Sequence, residues 1–137
     1  MVDPLTGKII NPIPVLNWFA KNRRMTQGLR ALFKKRRGNR PPESFVTIRL
    51  GNKWFRKVTG NRTVLVSISN NPEKPDIVGH AKVLCSQIGL LKYFSDELAK
   101  NIGAKTIAQA AKDMSAAYGL KVTPESVVTV LELMPEV

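Results

Sequence analysis

The chain of 137 residues has one cysteine, Cys85, and one histidine, His80. An internal disulfide is therefore excluded, and the two residues are too few to make a zinc site. Neither a metal nor another cofactor is expected. Acidic residues are also scarce: 10 Asp and Glu stand against 22 Lys and Arg, for a formal charge of +12. No run of 18 apolar residues occurs, so no helix is expected to span a bilayer. The opening "MVDPLTGKIINPIP" lacks the basic stretch and apolar core of a secretory signal. The expected compartment is the cytoplasm, or the interior of a virion or phage if the source is viral. Phosphate loops are missing too, since "TGNRT" lacks the length and the following Lys-Ser/Thr of a Walker loop.

A charge so far from neutral, in a chain long enough for one core, points to polyanions such as nucleic acid or an anionic surface. Its distribution is uneven. Residues 1–43 carry ten cations (Lys8, Lys21, Arg23, Arg24, Arg30, Lys34, Lys35, Arg36, Arg37, Arg40) against Asp3 and Glu43, while the other 94 residues carry twelve against eight. This composition divides the chain into a basic arm and helix over 1–43 and a globular domain over 44–137.

Residues 1–12 read as an extended arm. A basic amphipathic helix follows, with Val15, Trp18, Met25, Leu29, Leu32 and Phe33 on one face and Arg23, Arg24, Arg30, Lys34 and Lys35 on the other. Gly28 is its weak point, and "RRGNRPPES" ends it. A stripe holding Trp18, Leu29 and Phe33 is too apolar to stay solvated, so it is expected to dock on a partner or on its own domain. The "KKRRGNR" run also fits a nuclear-localisation pattern.

From Ser44 the rhythm changes to period two. "SFVTIRL" and "TVLVSIS" read as strands, with "KWFRKV" as the return strand of a hairpin between them. On a strand Trp54 and Phe55 would face opposite ways. "IVGHAKVLCSQIGLLKYF" starts as a strand with a bulge or bend at Gly79 and takes Cys85 into the core. Two helices come next: one capped by Ser95, and one opened by Thr106 with Gln109 and stopped by Gly119. "SVVTVLEL" closes the domain. The predicted fold is α+β, a small mixed β-barrel with two capping helices behind a basic helix.

The order of elements over 44–134 resembles the PUA-like superfamily, and the ASCH domain within it. Gly51-Asn52-Lys53 stands at its early Gly-x-Lys, Gly79-His80-Ala81-Lys82-Val83 at its Gly-x-Ala-x-Val strand, Tyr118-Gly119 at the end of its helices, and "VVTVLEL" at its closing strand. The resemblance implies a barrel whose cleft binds RNA or modified nucleosides. One branch of the family hydrolyses acylated cytidine with Lys, Thr and Glu. Lys53 fits the lysine, but the threonine position falls on Arg56, and "IVGHAKV" has no Glu.

On residue chemistry alone, Lys53, His80, Ser67, Thr63, Tyr93 and Glu125 form no recognisable triad. Nucleic-acid binding is better supplied. Cations displace counterions from phosphates, and aromatic rings stack on bases. The expected interface is Arg23, Arg24, Arg30, Lys34, Lys35, Arg36, Arg37, Arg49, Lys53, Trp54, Arg56, Lys57 and Arg62. Two alternatives stay open: a structural component of a ribonucleoprotein or virion anchored by its arm, and an amidohydrolase acting on a modified nucleoside.

Overall fold

The computed structural model describes residues 13–19, 23–34, 43–71, 73–101 and 103–136, with the backbone alone at 23–25. Its strands are β1 (Val15–Trp18), β2 (Phe45–Leu50), β3 (Thr63–Ile68), β4 (Ile77–Leu90) and β5 (Val127–Glu136), and its helices are α1 (Arg23–Leu32), α2 (Lys53–Thr59), α3 (Asp96–Lys100) and α4 (Ile107–Tyr118). The strands form one mixed sheet in the order β1-β3-β4-β5-β2. The fold is α+β, as the element order predicts, and a mixed sheet of this size is compatible with a small barrel-like architecture.

The chain groups into two compact units. One holds β1, α1, β3 and β4 as far as Lys82; the other holds β2, α2, β4 from Val83, α3, α4 and β5 to Met134. Part of the segment before Ser44 belongs to the first unit. Its described part is built into the first unit through a parallel ladder between β1 and β3, from Val15 opposite Leu65 to Trp18 opposite Ile68.

This ladder also corrects the expected helix. Val15 and Trp18 have helical spacing, but Pro14 forces an extended backbone on Ile13 before it, and the Pro14 carbonyl accepts the Leu65 N–H at 2.9 Å. Leu16 is fully buried, and Asn17 Nδ2 donates to the Ser69 carbonyl at 3.0 Å. Pairing with β3 overrides a local period that is only two residues strong. α1 begins later and runs through Gly28 without a break.

β3 and β4 pair antiparallel from Thr63 opposite Lys82, and the register slips at Val66 and Ser67, which face Gly79 and Ile77. The bulge expected at Gly79 thus sits beside it, at Val78. Gly79 itself has a steric reason. A Cβ there would lie 2.7 Å from Phe33 Cδ1, so the ring at the end of α1 rests on the bare backbone of β4.

In the second unit β2 pairs with β5 from Phe45 opposite Leu133 to Leu50 opposite Val128. Ile48, Leu91, Ala111, Met114, Val122, Val128 and Val130 form the core, and Val46, Leu50, Phe94, Leu98 and Ile107 pack against it. The caps are those the sequence predicts. Ser95 Oγ accepts the Leu98 N–H, Thr106 Oγ1 accepts the Gln109 N–H, and Gly119 ends α4 in the left-handed region. The Gln109 side chain does not complete a reciprocal box; it reaches Asp113 instead. Thr106→Ala is expected to cost about 1 kcal/mol, measured as a lowered urea midpoint with an unchanged slope.

Cys85 is exposed rather than buried. Alternation puts it on the side of buried Ala81 and Val83. β3, however, begins at Thr63 opposite Lys82, so the strand at Cys85 runs beyond its β3 partners.

Candidate functional site

The opening of the site is the corner between β2 and α2. Gly51 has φ of 80°, where a side chain would be strained. Its N–H donates to the Val127 carbonyl at 2.8 Å, and its own carbonyl accepts from Thr129 Oγ1 at 2.7 Å. The chain is thereby pinned to β5 and turned out of the sheet. Arg56 N–H then donates to the Asn52 carbonyl at 3.1 Å, and Thr59 Oγ1 to the Phe55 carbonyl at 2.7 Å, closing a two-turn helix.

"KWFRKVT" is therefore α2, not the return strand of a hairpin. Trp54 and Phe55 are half-buried and Val58 is buried, which is one helical face at i, i+1 and i+4. Both rings belong to that face, so the strand-based reading that set them on opposite sides is corrected. Lys53, Arg56 and Lys57 are all exposed, at i, i+3 and i+4, and share the other face.

Lys57 Nζ sits 4.6 Å from the centroid of the Trp54 ring, in cation–π range. Burial, and then the charge of Lys53, hold the Lys57 ammonium below the ordinary lysine range. The second cause shows that these two cations feel each other. No compensating acid is near in sequence: between Glu43 and Glu73 the chain has five cations (Arg49, Lys53, Arg56, Lys57, Arg62) and no carboxylate.

Arg49, next to last in β2 before this corner, is partly buried. Its Nε donates to Thr47 Oγ1 at 3.1 Å, and it hydrogen-bonds the Tyr118 hydroxyl. Burial pushes its pKa down, and Tyr118 pulls it partly back. The same hydroxyl accepts the Leu50 N–H at 3.2 Å. Neither Thr47 nor Tyr118 is among the interface residues expected from the sequence. Thr47 was legible as the i−2 neighbour on the same strand face, whereas no sequence signal places Tyr118 there.

The other expected interface residues belong to the first unit. Arg23 and Arg24 lie in the first turn of α1. Arg30 stands 3.4 Å from Asp76, with both side chains largely exposed, an arrangement that contributes little. Lys34 and Arg62 are exposed. Lys35, Arg36 and Arg37 fall outside the described residues. Of the apolar stripe, Leu29 is buried, Phe33 rests on Gly79, and Trp18 is half-buried in β1. Leu29 and Phe33 are thus engaged within their own unit.

The groups that hydrolysis would draw on have separate settings. Ser67 is fully buried, and its hydroxyl accepts the Asp76 N–H. Glu125 is ion-paired with Lys92 at 2.9 Å. Tyr93 is 75% exposed, His80 is exposed on β4, and Thr63 opens β3. Among the described residues no three His, Cys, Asp or Glu side chains are grouped to hold a metal, and no helix is long and apolar enough to cross a membrane.

No family model, no curated protein and no solved structure matches this chain.

Proposed function

We propose that the chain is an ASCH-type module that binds single-stranded nucleic acid, RNA before DNA, without transforming it. The observation that carries this reading is α2. Three exposed cations share one face of two turns, an indole lies against one of them, and the surrounding stretch of chain supplies no carboxylate. Phosphates neutralise such a face and release their counterions. The Trp54 ring gives an unpaired base a stacking surface once Lys57 swings from it to a phosphate. Arg49 lies at the root of the same helix. The resemblance of residues 44–134 to ASCH domains supports RNA as the polymer.

Stacking is tested by Trp54→Ala. Binding of fluorescein-labelled r(U)12 is expected to weaken by about 1–3 kcal/mol, with the salt dependence of affinity unchanged. Unaltered affinity in a folded variant would remove the ring from the interface and leave an electrostatic one.

A further inference from the structure

In the second unit, α2 is not the only element that leaves the sheet where β5 begins. Gly51 N–H donates to the Val127 carbonyl at 2.8 Å, and Leu91 N–H donates to the neighbouring Ser126 carbonyl at 2.9 Å. The chain therefore leaves β2 and β4 on opposite sides of the start of β5, which lies between them in the sheet. Two strand spacings separate these exits, about 10 Å. From the first comes α2, with Lys57 against the Trp54 ring.

From the second exit comes a single turn of 3-10 helix, Leu91–Tyr93. Leu91 is fully buried. Lys92 N–H donates to the Pro124 carbonyl at 2.8 Å, and Phe94 N–H to the Leu91 carbonyl at 3.1 Å. The backbone is thus fixed, yet the Tyr93 side chain on it is 75% exposed and lends little to the core. Lys92 Nζ stands 5.5 Å from the centroid of that ring, within cation–π range. This end of the sheet carries the same pairing of cation and aromatic twice.

The acids around this turn have local partners. Asp96 accepts the Ile107 N–H at 2.8 Å, and Glu97 pairs with Lys100 at 3.0 Å. Glu125 holds Lys92 at 2.9 Å. Both of these last side chains are exposed, so the pair contributes little to stability, and a phosphate can take the place of the carboxylate.

We propose that Tyr93 is a second base-stacking platform, with Lys92 as its phosphate contact once Glu125 releases it. A single strand then crosses the end of the sheet from Trp54 to Tyr93, past the exposed Val127, instead of engaging α2 alone. The 10 Å between the exits matches about three stacked nucleotides at roughly 3.4 Å each. This assignment rests on the function proposed above.

The full chain is compared with Tyr93→Ala, Tyr93→Leu, Tyr93→Phe, Trp54→Ala and Glu125→Gln, after circular dichroism has confirmed their fold. Affinity for fluorescein-labelled r(U)12 is measured over a salt series. Tyr93→Ala is expected to lose about fivefold or more, the worth of one stacked base, with the slope of log K against log salt kept. Tyr93→Leu is expected to lose nearly as much, being apolar without a π face, while Tyr93→Phe binds as wild type. Glu125→Gln is expected to gain about threefold and to steepen the slope by about 0.7, one further phosphate contact. Joining Trp54→Ala to Tyr93→Ala is expected to give the product of the two single losses, as for separate sites.

If Trp54→Ala weakens binding and Tyr93→Ala does not, the second platform is overturned while the nucleic-acid reading stands. The platform also falls if Tyr93→Leu binds as wild type, or if Tyr93→Phe loses as much as Tyr93→Ala, since neither result is that of a stacked ring. An unchanged Glu125→Gln removes Lys92 from the interface. A wild type that ignores r(U)12 even at low salt overturns both readings together.

Discussion

Gly79→Ala is expected to destabilise the protein by about 1–3 kcal/mol, the usual cost of forcing extra volume into a packed contact. The added methyl would stand 2.7 Å from Phe33 Cδ1 and 3.2 Å from Cε1, closer than carbon atoms approach without one of them moving. Phe33 follows directly on α1, and Leu29 one turn earlier is buried. The ring therefore cannot retreat without disturbing the helix that carries it. Urea denaturation of four proteins checks this: wild type, Gly79→Ala, Phe33→Leu and the double variant. The double variant is expected to lose less than the two single losses added together, because the smaller side chain makes room for the methyl. Additive losses, or a neutral Gly79→Ala, would mean that the ring does not rest on β4.

The second large effect concerns α2. Converting Lys53, Arg56 and Lys57 together to glutamine removes the whole charged face and leaves Trp54, Phe55 and Val58 to hold the helix in place. With about 0.7 of slope per phosphate contact on a single strand, the loss is about 2 in the slope of log K against log salt. Over one decade of salt that corresponds to roughly a hundredfold in affinity at 0.1 M. The melting temperature is expected to hold or rise, since the repulsion between the charges at 53 and 57 is removed.

The sequence told most where a signal is local. Ser95, Thr106 and Gly119 sit where a cap has to sit, and α3 and α4 begin and end on them. β2, β3 and β5 follow from period-two alternation in β-branched residues. β1 was illegible because its partner, β3, lies about fifty residues away, and only that ladder makes Val15–Trp18 a strand. α2 was misread for a different reason. Trp54, Phe55 and Val58 carry a helical spacing, but seven residues between two strands invite a hairpin, and the decisive left-handed Gly51 acts through bonds to Val127 and Thr129.

The site divides in the same way. The cations of residues 53–57 were visible as a cluster, although only the helix puts all three on one face. The Arg49–Tyr118 pair was not visible. Leu50 and Tyr118 are 68 positions apart, and the end of α4 meets β2 only because the helix packs Ala111 and Met114 onto the sheet core. Cys85 shows the converse: its apolar surroundings in sequence suggest burial, and it is exposed because β3 begins only at Thr63, opposite Lys82.

The central claim is that the basic face of α2 exists to meet phosphates. The most direct measurement is r(U)12 affinity for the full chain and for the Lys53/Arg56/Lys57 triple glutamine variant, from low salt to about 0.5 M. The account predicts a steep negative slope for wild type and one shallower by about 2 for the variant. Equal slopes, or a wild-type affinity indifferent to salt, would contradict it.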